Sequence, residues 1–107
     1  MKTLVALCCV AASVASQTAL ADGQSVFKQW CEPCHGRAPY LAGTAGLTVK
    51  YKGQIPAALE DRKDLTPVAV KTFVRQGVLA MPPFRKTEIS DAELDALAAY
   101  LSGKRRR

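Results

Sequence analysis

Apolar residues along this chain fall into short helical stripes punctuated by glycine and proline. From Gly23 to Cys34, Val26, Phe27 and Trp30 recur at i, i+1 and i+4, which predicts a helix with Asp22 as its N-cap. A loop is expected from Gly36 to Gly46, where glycine and alanine dominate. Leu47 to Lys52 alternates apolar and polar residues in strand fashion, but Gly46 and Gly53 bracket it and no second strand is available to pair with it. An irregular segment or short helix is the expectation there. Pro56 suits a first helical position and opens a short helix to about Arg62.

Two later helices carry stronger boundary signals. Thr66 as N-cap and Pro67 at the first position start one, Val70, Phe73 and Val74 form its face, and Gly77 stops it. The last helix begins at a capping box of Ser90 and Glu93, with Ile89 and Leu94 at the two positions of a hydrophobic staple. Asp91, Glu93 and Asp95 place negative charge in its first turns. Leu94, Leu97, Ala98 and Leu101 make the buried stripe, and Gly103 ends it. The predicted fold class is all-α, with no repeats or long linkers.

The N-terminus changes what counts as the working chain. Met1 to Ala21 has the form of a secretory signal peptide: Lys2 is the positive start, Leu4 to Ala15 the apolar stretch, and Ala19-Leu20-Ala21 the cleavage site. A cut after Ser16 is the alternative site, and retention as an uncleaved anchor is the weaker alternative, because the stretch is short for a membrane span. Cleavage near Ala21 leaves one domain of 86 residues, 22–107, with a thin core. Cys8 and Cys9 leave with the leader, so the mature chain keeps only Cys31 and Cys34. The formal charge of +6 is mostly terminal: Lys104 to Arg107 carry +4, and Asp22 to Gly103 holds ten basic and nine acidic residues. A nearly neutral body with a basic tail is not the footprint of a nucleic-acid binder. The tail is either a frayed terminus at the negative end of a helix or a contact for an acidic partner or anionic lipid.

Within that mature chain, the run Cys31-Glu32-Pro33-Cys34-His35 is the attachment signature of a c-type haem. Each thiol can add to one vinyl group of the porphyrin, and the adjacent imidazole is placed to ligate the iron. Structural zinc would need four nitrogen or sulfur ligands, and Cys31, Cys34 and His35 have no second half-site. A thioredoxin-like redox centre would need a βαβ context that the downstream pattern lacks.

The opposite face of the iron has few candidates. His35 is the only histidine, and Met81 is the only methionine left after Met1. Pro82 and Pro83 follow Met81 directly, preventing helix continuation and holding the thioether in a loop. A lone methionine is otherwise adaptable core filler, but a His/Met pair is a standard haem ligation that raises the reduction potential. Such an iron changes charge without an open site for substrate. The Pro39 carbonyl is the candidate acceptor for the second ring nitrogen of His35, the alternative being a proline in a turn.

In this order of motifs the mature chain resembles the class I cytochromes c. Cys31 to His35, then Pro39-Tyr40-Leu41-Ala42-Gly43, then Met81-Pro82 before the last helix follow the family sequence. Gly23 and Phe27 match positions where the family packs its N-terminal helix across the C-terminal one, and Leu97 and Tyr100 match the opposing positions. The spacer Gly36-Arg37-Ala38 is shorter than usual, with Ala38 where a glycine commonly precedes the proline. Val78 to Phe84, and the stretch from Trp30 through the last helix, are similar to the cytochrome subunits of flavocytochromes such as p-cresol methylhydroxylase and eugenol hydroxylase. The resemblance implies a periplasmic electron carrier with one covalent haem c and no catalytic residues. It would accept single electrons from a flavoprotein dehydrogenase that oxidises para-alkyl phenols, and pass them to a downstream acceptor. The alternatives are a free diffusible cytochrome serving an oxidase or another dehydrogenase, and a catalytic or gas-sensing haem protein.

Overall fold

The computed structural model describes residues 20–103, and every regular element within them is helical. The expected leader, apart from Leu20 and Ala21, and the basic tail at 104–107 lie outside the described residues. The first helical stretch starts at α1 (Gly23–Val26), where Asp22 accepts from Gln24 N at 3.2 Å as the expected cap. It continues through a π turn (Phe27–Cys31) into α2 (Glu32–His35). A straight α-helix was the expectation; in its place Glu32 N donates back five residues to Phe27 O. Cys31 lies in the core with Phe27, while Cys34 is exposed.

Two sequence expectations are corrected in the middle of the chain. The stretch expected to be a loop becomes α3 (Ala42–Tyr51) from Ala42 onward, absorbing the ambiguous segment after Gly46. Lys52 in the left-handed region and Gly53 at φ 80° end it. The helix expected from Pro56 is only one 3-10 turn (Leu59–Asp61), bracketed by extended residues at Ala58 and Arg62. Its acidic residues bind distant side chains: Asp61 accepts from Arg37 at 2.8 Å, and Glu60 accepts from the hydroxyl of the buried Tyr100.

The last two helices follow their boundary signals. α4 (Pro67–Gln76) is capped by Thr66, whose hydroxyl accepts from Ala69 N at 3.1 Å, and stops at Gly77. It buries Val70 and Val74 but leaves Phe73 46% exposed, so the predicted three-residue face is narrower than its spacing suggests. α5 (Asp91–Leu101) starts at the complete capping box, with Glu93 N donating to Ser90 Oγ at 3.2 Å and Ser90 N to the Glu93 carboxylate at 2.8 Å. These bonds hold the Glu93 carboxyl below the usual carboxylate range. Ile89, Leu94, Leu97, Ala98 and Leu101 are all buried.

The core lies where α1 and the π turn cross α5. The Phe27 and Tyr100 rings meet with centroids 6.1 Å apart. Gly23 sits at the closest point: a Cβ there would collide with the Ala96 carbonyl oxygen and come within 2.6 Å of Tyr100 Cβ. Neither is the flexible end of a side chain. Gly23→Ala gains up to about 1 kcal/mol of helix propensity, but separating the helices costs about 1–3 kcal/mol. The expected result is a net loss of thermal stability, read from the unfolding midpoint; a midpoint equal to or above the parent's would place this crossing elsewhere.

Candidate functional site

The end of the first helical stretch presents three of the four predicted site residues, Cys31, Cys34 and His35, on one turn. Both cysteines are free. Burial, and secondarily the neighbouring Cys34, pushes the Cys31 thiol up to about 12, so it stays a neutral thiol. Among the described residues, no three His, Cys, Asp or Glu side chains gather to hold a metal ion.

His35 is set by the start of α3. Its Nδ1 is buried and has no hydrogen-bond partner among the described residues, whereas Nε2 is not buried in that way. A Cβ on Gly43 would lie 2.5 Å from His35 Cε1, 2.6 Å from Nδ1 and 2.7 Å from the Cys34 carbonyl oxygen. The helix therefore lays bare backbone against the inner edge of the ring. Burial holds the imidazole below its ordinary pKa and favours the neutral form that ligates metals. Thr44 locks the arrangement, its hydroxyl donating to the Gly36 carbonyl at 2.6 Å. Sequence reasoning has Gly43 only as the end of the Pro39-to-Gly43 motif, with no role toward His35, and lacks Thr44 altogether, because each falls in what reads as loop.

The Pro39 carbonyl does not accept from His35, contrary to expectation. The short spacer after His35 makes a tight turn, with Leu41 N donating to Ala38 O at 3.1 Å, and Pro39 sits in that turn on the exposed side. Gly43→Ala is expected to push the His35 ring out of place without unfolding α3, since alanine favours helix. In the haem-loaded protein this would appear as a shifted reduction potential with helix content retained; an unchanged potential would show that Gly43 does not orient the ring.

Met81 arises from the segment between α4 and α5. Val78 and Met81 exchange two backbone hydrogen bonds, Val78 N to Met81 O at 3.1 Å and Met81 N to Val78 O at 2.9 Å, closing a tight hairpin over Leu79 and Ala80. Gly77 allows the hairpin to fold onto itself, since its φ is 67° and a Cβ would lie 2.6 Å from Met81 O and 2.9 Å from Pro83 N. Phe84, at the far end, packs edge-on against Trp30 with ring centroids 5.9 Å apart. Trp30 directly precedes Cys31. This contact couples the methionine segment to the cysteine-histidine turn; no hydrogen bond or ring contact among the described residues joins Met81 to His35 directly.

Two free thiols one helical turn apart, beside a neutral imidazole with its inner edge packed and its Nε2 unengaged, fit the attachment of a haem. The family model for cytochrome c oxidase, cbb3-type, subunit III matches residues 18–101 and so spans the whole helical domain. The chain belongs to that family. This cytochrome c domain implies haem c and an electron-transfer role, as opposed to an enzyme acting on substrate. A solved structure of an OmcF mutant is similar in fold, with a TM-score of 0.53 over 79% of this chain and 96% of that one, at 18% identity. No curated protein matches the chain. No helix among the described residues is long and apolar enough to cross a membrane.

Proposed function

We propose that this cytochrome c domain carries one haem, joined covalently through Cys31 and Cys34 and ligated by His35 and Met81. In this proposal it takes single electrons from a reduced flavin in a partner dehydrogenase that oxidises para-alkyl phenols. The presentation of His35, with Nδ1 turned inward and Nε2 left free beside two unpaired thiols, carries the haem assignment. When bound, the haem supplies a one-electron ferric/ferrous couple, with a potential raised by a thioether ligand. The protein's part would be to hold both donor side chains in place: Gly43 and Thr44 would seat the imidazole, and the hairpin with its two prolines would seat the thioether.

The same hairpin supports the partner assignment. From Gly77 to Phe84 the chain carries no charge, and Leu79 at its tip is 102% exposed at φ 52°. A leucine held in a conformation that favours glycine is a local backbone cost, and such costs concentrate at functional surfaces. Docked there, a redox partner would stand two residues from Met81. Export to the periplasm, proposed from the leader, would place the two thiols where haem is attached.

The test is isolation of the native holoprotein with its neighbours. A stoichiometric flavoprotein that reduces it on addition of a 4-alkylphenol is the expected outcome; a clean monomer that such a flavoprotein cannot reduce would remove the partner. The family match to an oxidase subunit favours a second reading, delivery of electrons to a terminal oxidase. Rapid oxidation of the ferrous protein by oxidase-containing membranes, without any flavoprotein partner, would establish it.

A further inference from the structure

Arg75 is not among the proposed haem ligands, yet its side chain bonds two backbone carbonyls of the segment that carries Met81. It lies in the last turn of α4 with its side chain three-quarters buried. Its Nη1 donates to the Phe84 carbonyl at 3.2 Å and to the Ile89 carbonyl at 2.8 Å, and its Nη2 donates to Asp91 Oδ1 at 2.9 Å. One guanidinium thus joins the residue that ends the methionine hairpin, the residue before the N-cap of α5, and the first residue of α5. No other hydrogen bond to either carbonyl is present among the described residues. The bond from Phe84 N to Val74 O at 2.8 Å completes the attachment to α4.

Besides the Phe84 N bond to Val74 O, the Phe84–Trp30 ring contact and the buried Ile89 side chain, the rest of the segment adds no backbone hydrogen bond to another helix among the described residues. Between the hairpin and α5 its own bonds are local, with Glu88 N and Ile89 N both donating to Arg85 O at 3.0 Å. These bonds shape a turn without tying it to another helix. Leu79 and Ala80 are exposed, and the prolines at 82 and 83 have no amide hydrogen to donate. If the segment swings, Met81 swings with it.

We propose that Arg75 is the positioning residue for Met81, a clamp that keeps the methionine segment closed against α4 and α5 so that the thioether stays on the iron. The proposal rests on Met81 being the sixth ligand. Planarity matters here: the guanidinium reaches two carbonyls and a carboxylate at once from a fixed fork, whereas a lysine ammonium is a point charge on a flexible stem. Loss of the clamp opens the segment locally while the crossing of α1 and α5, which Arg75 does not touch, remains.

The experiment uses the haem-loaded protein and three forms: parent, Arg75→Lys and Arg75→Gln. Imidazole binding to the ferric state, followed by loss of the weak red charge-transfer band, reads the fraction of molecules with Met81 off the iron. Global unfolding is read from far-UV circular dichroism. Arg75→Gln is expected to bind imidazole about ten- to a hundredfold more tightly than the parent, and to lose the band on heating well before the helices melt. Arg75→Lys should fall between the two. Equal imidazole affinity in all three forms would overturn the proposal, as would a band that disappears only together with the helices. A parent that lacks the band and binds carbon monoxide freely when reduced would remove Met81 from the iron, and the clamp with it.

Discussion

Met81→Ala is expected to open the sixth coordination position while leaving the haem attached. The hairpin keeps its backbone bonds between Val78 and residue 81, which do not involve the side chain, so helix content should hold. The ferric protein should lose its red charge-transfer band, and the ferrous protein should bind carbon monoxide. Thioether sulfur is a soft donor that favours ferrous iron, so its removal lowers the reduction potential. Axial ligation sets haem potentials over about 0.8 V, and a fall on the order of 0.1 V or more is anticipated here. Spectroelectrochemical titration checks it; an unchanged potential and spectrum would take Met81 out of the mechanism.

The double substitution Cys31→Ser with Cys34→Ser acts on the fold itself. Among the described residues the largest fully buried side chains are only Phe27, Ile89 and Leu97. A core of this size leaves a small domain a net stability of at most roughly 3–5 kcal/mol, the small surplus of burial over the cost of ordering the chain. Without the thioethers the haem becomes a dissociable ligand, stabilising the fold only in proportion to its concentration. The variant should therefore release its haem into acid acetone and show largely lost far-UV helix signal once haem is removed. Covalent haem surviving in the double variant would refute the attachment site.

These effects point to one division of labour. The N- and C-terminal helices, crossing at Gly23, Phe27, Ala96 and Tyr100, hold the molecule together; α3 and the segment from Gly77 to Ile89 position the two proposed axial donors. Arg37 links these parts, bonding Asp61 at 2.8 Å from the turn after His35, while Tyr100 bonds the adjacent Glu60. A disturbance at the donors can thus be local, and a disturbance at the crossing cannot.

Much of this was readable along the chain. The caps at Asp22, Thr66 and Ser90, the stop at Gly77 and the stripe of α5 are local signals, each set by a backbone group seeking a partner within a few residues, and each stands where expected. The chemistry proposed for Cys31, Cys34, His35 and Met81 likewise rests on residue type and spacing. Tertiary structure decided the rest. Gly43 and Gly46 weaken any local argument for helix, yet α3 runs through both, and Gly43 lies where the His35 ring leaves room for no side chain. The π turn, the orphaned Nδ1 in place of a Pro39 partner, and the reach of Arg75 to carbonyls nine and fourteen residues away depend on how helices meet. Spacing along a chain encodes what a residue can bond nearby; which distant backbone it meets is settled only when the whole core closes.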